Sequence, residues 1–211
     1  MIKVWGRITS SNVQKVVWLA EEIGLPYERI DIGGPFGGNH EPAYRALNPN
    51  GLVPTLQDGD FTLWESNSIC RYLANRHQAA QWYPTDHQAR ADVEHWMDWS
   101  LSRLGPSLVP GFWGLIRTPP AERDTAAIRA SGEKTAEDLL VLEAALARRP
   151  WLCGDSPTLA EITLGMHIYR WFHLPWSSVG FTPPARERVF DWYQRLAARP
   201  AFSRVVMIPI V

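Results

Sequence analysis

The hydrophobic pattern of this chain changes period within its first 23 residues, and that change constrains the fold more than any other feature. Apolar residues from Ile2 to Ile8 have the spacing of a strand, whereas those from Val13 to Ala20 form a helical stripe. Ser10-Ser11-Asn12 lies between the two segments, and Ser and Asn are preferred at helix N-termini. A strand that leads directly into a helix predicts that the chain begins as an α/β unit.

The remainder of residues 1–78 continues this alternation. Gly24 ends the first helix, and Asp58-Gly59 between two apolar segments is a strong hairpin signal. A strand–helix–strand beginning favours a parallel pair, and the hairpin adds an antiparallel pair, so the sheet should be mixed. The predicted order is βαβαββα, with strands at about 2–6, 27–32, 53–56 and 61–64 and helices at about 11–23, 41–47 and 66–75.

Beyond Tyr83-Pro84-Thr85-Asp86, the pattern is helical almost throughout. Thr158 and Glu161 have the spacing of a capping box at the start of one of these helices. The sequence therefore predicts a domain at 1–78, a linker at 79–88 and an all-helical domain at 89–211. The first helical stripe of the second domain consists of Val93, Trp96, Met97, Leu101, Leu104 and Leu108.

Composition excludes several classes of protein. The chain has 211 residues, 45% of them hydrophobic, with a net charge of −1, which argues against nucleic acid or an acidic membrane as partner. No apolar segment is long enough to span a bilayer, and the first residues lack the charged-then-apolar pattern of a leader, so we expect neither a membrane span nor a leader. Two cysteines are too few for a disulfide framework, so we expect a cytoplasmic protein. The six histidines lack the spacing of a metal site, so no metal is expected.

The Ser10-Ser11-Asn12 turn can do more than begin a helix. A helix N-terminus carries partial positive charge and favours a nearby anion. A thiolate bound there would have a pKa lowered from about 8.5 toward neutrality, and a serine hydroxyl could donate a hydrogen bond to its sulfur. The alternative is a helix cap without further function.

Two further motifs in the first domain suit the rest of a small peptide. If the peptide bond of Val53-Pro54 is cis, Val53 would turn its backbone outward to pair with a bound peptide; a trans proline at a strand start is the alternative. Ser66 begins a helix and, with the first helical N–H groups, could bind a carboxylate, while Glu65 could bind an ammonium group. Together, the three motifs fit a γ-glutamyl-cysteinyl peptide.

On these residues the chain resembles the glutathione transferases over essentially its whole length. The motifs that carry the resemblance are Asn48-Pro49-Asn50-Gly51-Leu52-Val53-Pro54, Leu63-Trp64-Glu65-Ser66-Asn67-Ser68-Ile69 and the serine-type turn. The chain is most similar to the bacterial theta-like branch, in particular the glutathione transferase B subgroup. The resemblance implies a thioredoxin-like N-terminal domain, a C-terminal helical bundle, glutathione as co-substrate and a homodimer.

The resemblance also implies roles for individual residues. Ser10 matches the group that activates the thiol, with Ser11 and Asn12 near enough to share or replace that role. Glutathione itself is expected to contact His40, Val53, Pro54, Glu65 and Ser66. The second substrate, an electrophile, is expected between the domains, at Arg7, Trp96, Trp99, Arg103, Trp113 and Arg117.

Three functions follow from this interpretation. The first is transfer of glutathione to a small electrophile, such as a halogenated carboxylic acid that pairs with Arg7 or Arg117. The second is glutathione-dependent reduction of a disulfide or peroxide with both thiols supplied from outside, since the active turn has no cysteine and the chain no Cys-x-x-Cys. The third is a glutathione-binding protein without catalysis, because a fold alone does not fix a function.

Overall fold

The computed structural model, which describes residues 1–211, confirms the predicted α/β half followed by a helical half. The N-terminal half has three helices, α1 (Ser11–Glu22), α2 (Pro42–Arg45) and α3 (Ser66–Arg76), and four strands, β1 (Ile2–Trp5), β2 (Tyr27–Ile30), β3 (Thr55–Asp58) and β4 (Phe61–Trp64). The strands lie in the order β2-β1-β3-β4, in which β1 is parallel to β2 and antiparallel to β3. The hairpin predicted at Asp58-Gly59 joins β3 to β4, with Asp58 opposite Phe61.

The C-terminal half is helical throughout. Its first long rod, from 87 to 117, contains two π-helical turns, Ser100–Leu104 and Trp113–Arg117, on either side of the helix α5 (Gly105–Phe112). No helix of the chain combines the length and apolar character needed to cross a membrane. The bounds 1–78, 79–88 and 89–211 remain predictions. The helices are α4 (His87–Trp99), α5 (Gly105–Phe112), α6 (Thr125–Ala145), α7 (Leu159–His173), α8 (Glu187–Ala197) and α9 (Pro200–Val205).

One apolar core of 45 buried residues runs through both halves. Helix α1 packs on α3 of its own half and on α7 of the other. Gly165 permits the close approach of α7, because a Cβ there would lie 2.9 Å from ring atoms of both Trp18 and Phe202. The two halves therefore pack as one body, and the N-terminus of α1 lies where they meet.

The predicted capping box at the start of α7 is confirmed. Glu161 is fully buried, and its carboxylate accepts hydrogen bonds from the backbone N–H groups of Leu152 and Thr158. Burial raises the pKa of Glu161, and these hydrogen bonds oppose that rise. The cap fixes the N-terminal end of the helix that packs on α1.

Candidate active site

The N-terminus of α1 presents a serine hydroxyl that the helix does not use. Ser10 is extended, at φ −81° and ψ 122°, and its backbone C=O accepts the first helical hydrogen bond, from the N–H of Gln14. Its side chain makes no capping hydrogen bond and is only partly buried. The hydroxyl is therefore free to donate to a ligand at the positive end of α1.

Two helix N-termini meet at this point. The Ser66 hydroxyl at the start of α3 donates a hydrogen bond to Oδ1 of Asn12 at 3.3 Å. Ser66 is buried, whereas the preceding Glu65 is exposed. Glu65 has φ 71°, a left-handed conformation that is uncommon for a residue with a side chain and often occurs at functional sites. The structure thus brings Asn12, Glu65 and Ser66 together.

The segment before β3 holds Val53 beside the same turn. The Val53–Pro54 peptide bond is cis, and a Cβ on Gly6 would lie 3.1 Å from Cβ of Val53. The neighbouring carbonyl of Leu52 is fixed by two donors, Tyr44 Oη at 2.6 Å and Asn48 Nδ2 at 2.9 Å. The N–H and C=O of Val53 itself have no backbone partner in the chain. A ligand could therefore pair with both groups.

His40 lies in the loop just before α2, and this loop contacts the residues that precede Val53. Its ring contacts Nδ2 of Asn39 at 3.2 Å and Nη2 of Arg45 at 3.5 Å. Asn39 in turn donates to the carbonyl of Gly51 at 2.7 Å, which ties the His40 loop to the residues just before Val53. His40 is exposed, so its ring is accessible to a ligand.

Three arginines lie near one another close to the start of α1, and the sequence predicts only two of them as site residues. The Arg7 side chain packs on Gly34, and Arg117 donates from Nη2 to an oxygen of Val211, the last residue of the sequence, at 2.5 Å. The third, Arg170 on α7, is only 9% exposed, and its guanidinium stacks 4.0 Å from the centroid of the Phe112 ring. We call Arg7, Arg117 and Arg170 the arginine cluster.

Burial and mutual repulsion lower the pKa of two members of the arginine cluster. For Arg170, burial is the main cause and the charges of Arg117 and Arg7 add to it, bringing the pKa to about 10. For Arg7, burial and the charge of Arg117 also lower the pKa. A signal for Arg170 exists in the sequence: it is a charged residue on an apolar helix, with no acid three or four positions away on either side.

Comparison with known proteins decides the family. The family models "Glutathione S-transferase, N-terminal domain" and "Glutathione S-transferase, C-terminal domain" match residues 9–76 and 125–195. The chain is 43% identical to glutathione S-transferase GstB of Escherichia coli over 100% of both chains. The chain belongs to the glutathione S-transferase family.

Further relatives agree with this membership. Glutathione S-transferase 3 of Zea mays is 33% identical, over 97% of this chain and 93% of that one. The crystal structure of the theta class glutathione S-transferase from Xanthomonas axonopodis pv. citri, with glutathione bound, has a TM-score of 0.93 and 48% identity. That match covers 100% of this chain and 99% of the other. The resemblance to the bacterial theta-like branch is confirmed.

In this glutathione S-transferase, Trp113 is the one predicted tryptophan that lies by the arginine cluster. Trp113 is 57% exposed, with the Arg117 guanidinium 6.0 Å from its ring centroid. Arg103 is exposed, and its guanidinium has no hydrogen-bond or ion-pair partner in the chain, so its place at the electrophile site stays a prediction.

Trp96 and Trp99 are not at the electrophile site, and their prediction is corrected. They pack edge to face, with centroids 5.5 Å apart, in a separate cleft of about 340 Å³ against α6. The reason is the orientation of α4, which turns Met97 and Asp98 toward α3: Asn67 donates to the Met97 carbonyl and Arg71 pairs with Asp98. Helical spacing alone does not show which face of α4 packs on the N-terminal half.

The chain has no cluster of three or more His, Cys, Asp or Glu side chains that could hold a metal ion. Neither cysteine is poised to react. Cys70 is fully buried and Cys153 partly so, and burial raises the pKa of each thiol to about 12.

Proposed function

We propose that this glutathione S-transferase binds glutathione in the N-terminal half, ionises its thiol with Ser10, and transfers the thiolate to a small electrophile. The observation that supports the proposal most is the free Ser10 hydroxyl at the N-terminus of α1, which the Ser66–Asn12 contact joins to the N-terminus of α3. Both helix N-termini favour an anion at this position, because each has unpaired backbone N–H groups.

The other predicted residues fit the rest of the tripeptide. Ser66 and the first N–H groups of α3 would hold the γ-glutamyl carboxylate, and Glu65 its ammonium group. The unpaired backbone of Val53, fixed by Pro54, would pair with the cysteinyl residue. His40, in the loop that contacts the residues before Val53, would lie near the glycine carboxylate.

The energetics are sufficient for this chemistry. A hydrogen bond to a charged acceptor contributes about 1.5–3 kcal/mol, and one pKa unit corresponds to about 1.4 kcal/mol. The Ser10 hydroxyl alone could therefore lower the thiol pKa by about 1–2 units, and the helix terminus would add to that. The thiolate then forms a C–S bond with the electrophilic carbon, and the leaving group departs with the bonding electron pair.

The thiol pKa of bound glutathione tests the proposal. We expect its thiolate absorbance to titrate near pH 7 or below in the natural protein, and about 1–2 units higher in Ser10→Ala. We expect Ser11→Ala and Asn12→Ala to shift the thiol pKa less than Ser10→Ala does. The side chain of Asn12 already accepts a hydrogen bond from Ser66. A larger shift in either of these variants would move the catalytic assignment away from Ser10.

The carboxylate site is tested separately with Ser66→Ala. We expect weaker retention on immobilised glutathione, whereas the neighbouring Ser68→Ala serves as the matched control and should bind normally. A bound thiol that titrates at its free value would favour the binding protein without catalysis. Reduction of hydroxyethyl disulfide or a hydroperoxide, without conjugation of any electrophile in a panel, would favour the reductase.

We also propose that the chain forms a homodimer. The cleft that contains Trp96 and Trp99 is apolar and bears Arg148, while the β3–β4 hairpin exposes Phe61 beside Asp60, which has no ion pair. These surfaces are complementary in apolar character and in charge, which suits two copies of one chain. Light scattering should give twice the mass of the chain, and a single-chain mass for the natural protein would contradict the proposal.

A further inference from the structure

Three guanidinium groups share the arginine cluster, and no acidic side chain pairs with any of them. No Asp or Glu lies at ion-pair distance from Arg7, Arg117 or Arg170, whereas Arg199 pairs with Glu22 at 2.6 Å. The only hydrogen-bond partner of the Arg117 guanidinium is an oxygen of Val211. The Nε of Arg7 is buried and has no hydrogen-bond partner at all. Buried charge without a partner is costly, so such a cluster suggests that a negatively charged ligand completes it.

The arginine cluster lies directly beside the proposed thiol site. The Ser10 N–H donates to the carbonyl of Arg7 at 3.1 Å, and Arg170 lines a narrow crevice together with Thr9, the residue before Ser10. A negative group held by these guanidiniums would therefore belong to a molecule that reaches the sulfur.

Resting on the proposed function, we infer that the electrophile carries a carboxylate, which the arginine cluster binds while the thiolate attacks. Both carboxylates of glutathione already have sites in that proposal, at Ser66 and near His40, so the cluster is left for the second substrate. Planar guanidinium groups suit a carboxylate because they donate two parallel hydrogen bonds.

The walls of the cluster favour an aromatic substrate. The Phe112 ring lies under Arg170, and Arg117 lies 5.6 Å from the centroid of the same ring. Trp113 adds an exposed aromatic face. An aryl ring could stack on these faces while its carboxylate meets the guanidiniums.

A matched pair of aryl chlorides provides the test. 4-Chloro-3-nitrobenzoate and 4-chloro-3-nitrobenzamide have nearly the same shape and the same leaving group, but only the first is an anion. In each, the glutathione thiolate adds to the carbon that bears chlorine, the C–Cl bond breaks, and chloride leaves with the electron pair to give a thioether. Each kcat/KM is divided by the uncatalysed rate constant, which removes the difference in intrinsic reactivity.

We expect the natural protein to favour the benzoate over the benzamide by about tenfold or more, as charged hydrogen bonds typically give. Arg170→Gln and Arg117→Gln should each reduce that preference severalfold, because benzoate turnover should fall more than benzamide turnover. Arg117 is exposed, so its variant should fold even if the buried Arg170→Gln does not. Arg204→Gln removes an equal charge from the far end of α1, where Arg204 pairs with Glu21, and should leave the preference unaltered.

The remaining outcomes separate this inference from the function on which it rests. Turnover of both compounds without a preference for the benzoate would overturn the inference alone. A rise in the KM for glutathione with both electrophiles in the two variants would also overturn it, because the cluster would then serve glutathione. Absence of turnover with both compounds and with 1-chloro-2,4-dinitrobenzene would overturn the proposed function itself.

Discussion

The buried Lys15 should make the stability of the chain depend on pH in a defined window. Its side chain is 1% exposed, and its Nζ lies 3.4 Å from Oδ1 of Asn67, with no carboxylate at ion-pair distance. Burial is the main cause that lowers the pKa of Lys15 from 10.5 to about 8; the charge of Arg170 lowers it further, and Cys70 and Glu65 oppose the change. The ammonium group is therefore less stable in the folded chain than in the unfolded chain.

The sign and size of the effect follow from proton binding. Between about pH 8 and 10.5, the unfolded chain holds a proton on Lys15 that the folded chain has released, so this residue makes the free energy of unfolding rise with pH. At about 1.4 kcal/mol per pKa unit, the difference between 10.5 and about 8 corresponds to about 3 kcal/mol. Below pH 8, the buried charge costs the folded chain that full amount.

Lys15→Met keeps most of the side-chain volume and removes the charge. Relative to the natural protein, the variant should therefore gain about 3 kcal/mol more stability at pH 7 than at pH 10.5. Urea unfolding of both proteins without glutathione, at intervals across this range, measures the difference. The exposed Lys3→Met is the control and should show no such trend.

The comparison of Lys15→Met with the natural protein also removes the contribution of other titrating groups to the free energy of unfolding. Burial raises the thiol pKa of Cys70 and of Cys153 to about 12, so stability should fall above about pH 9 as the unfolded thiols ionise first. That fall occurs in both proteins and largely cancels in the difference. A stability difference between Lys15→Met and the natural protein that stays constant from pH 7 to 10.5 would refute the reasoning.

Two further predictions concern α7. Glu161→Gln should destabilise the chain by about 2–4 kcal/mol in thermal or urea unfolding, because an amide NH₂ would face backbone donors, whereas Thr158→Ala should lose only about 1 kcal/mol. Equal losses would show that the two halves of the capping box contribute alike. Gly165→Ala should lose about 1–3 kcal/mol, because its Cβ would lie 2.9 Å from the rings of Trp18 and Phe202. An unchanged melting temperature would show that α1 and α7 can move apart to accommodate the added Cβ without loss of stability.

Local patterns were enough to predict most of the fold. The change of period at Ser10-Ser11-Asn12, the hairpin at Asp58-Gly59 and the capping box at Thr158 each depend on a few adjacent residues, and each appears in the structure. The order of all four strands was not predictable, because the pairing of β1 with β3 joins segments about 50 residues apart.

The errors arose where a helix face meets a distant element. Leu101 was assigned to the apolar stripe but is 49% exposed, because it lies in a π-helical turn that displaces the positions of a regular helix. Trp96 and Trp99 have helical spacing on α4, but only the packing of α3 shows that they face away from the predicted electrophile site. Arg170 is recognisable in the sequence only as a charge on an apolar helix, because the groups beside it, Arg7 and Phe112, come from remote parts of the chain.

The continuous core has a consequence for how relatives of this protein can diverge. Recombination that replaced the helical half alone would set foreign side chains against α1, where Gly165 leaves no space for adjustment around Trp18. A hybrid gene would need to carry the matching surface of the first helix along with its new second half. Substrate range should therefore evolve more readily by single changes along the cleft than by exchange of whole segments.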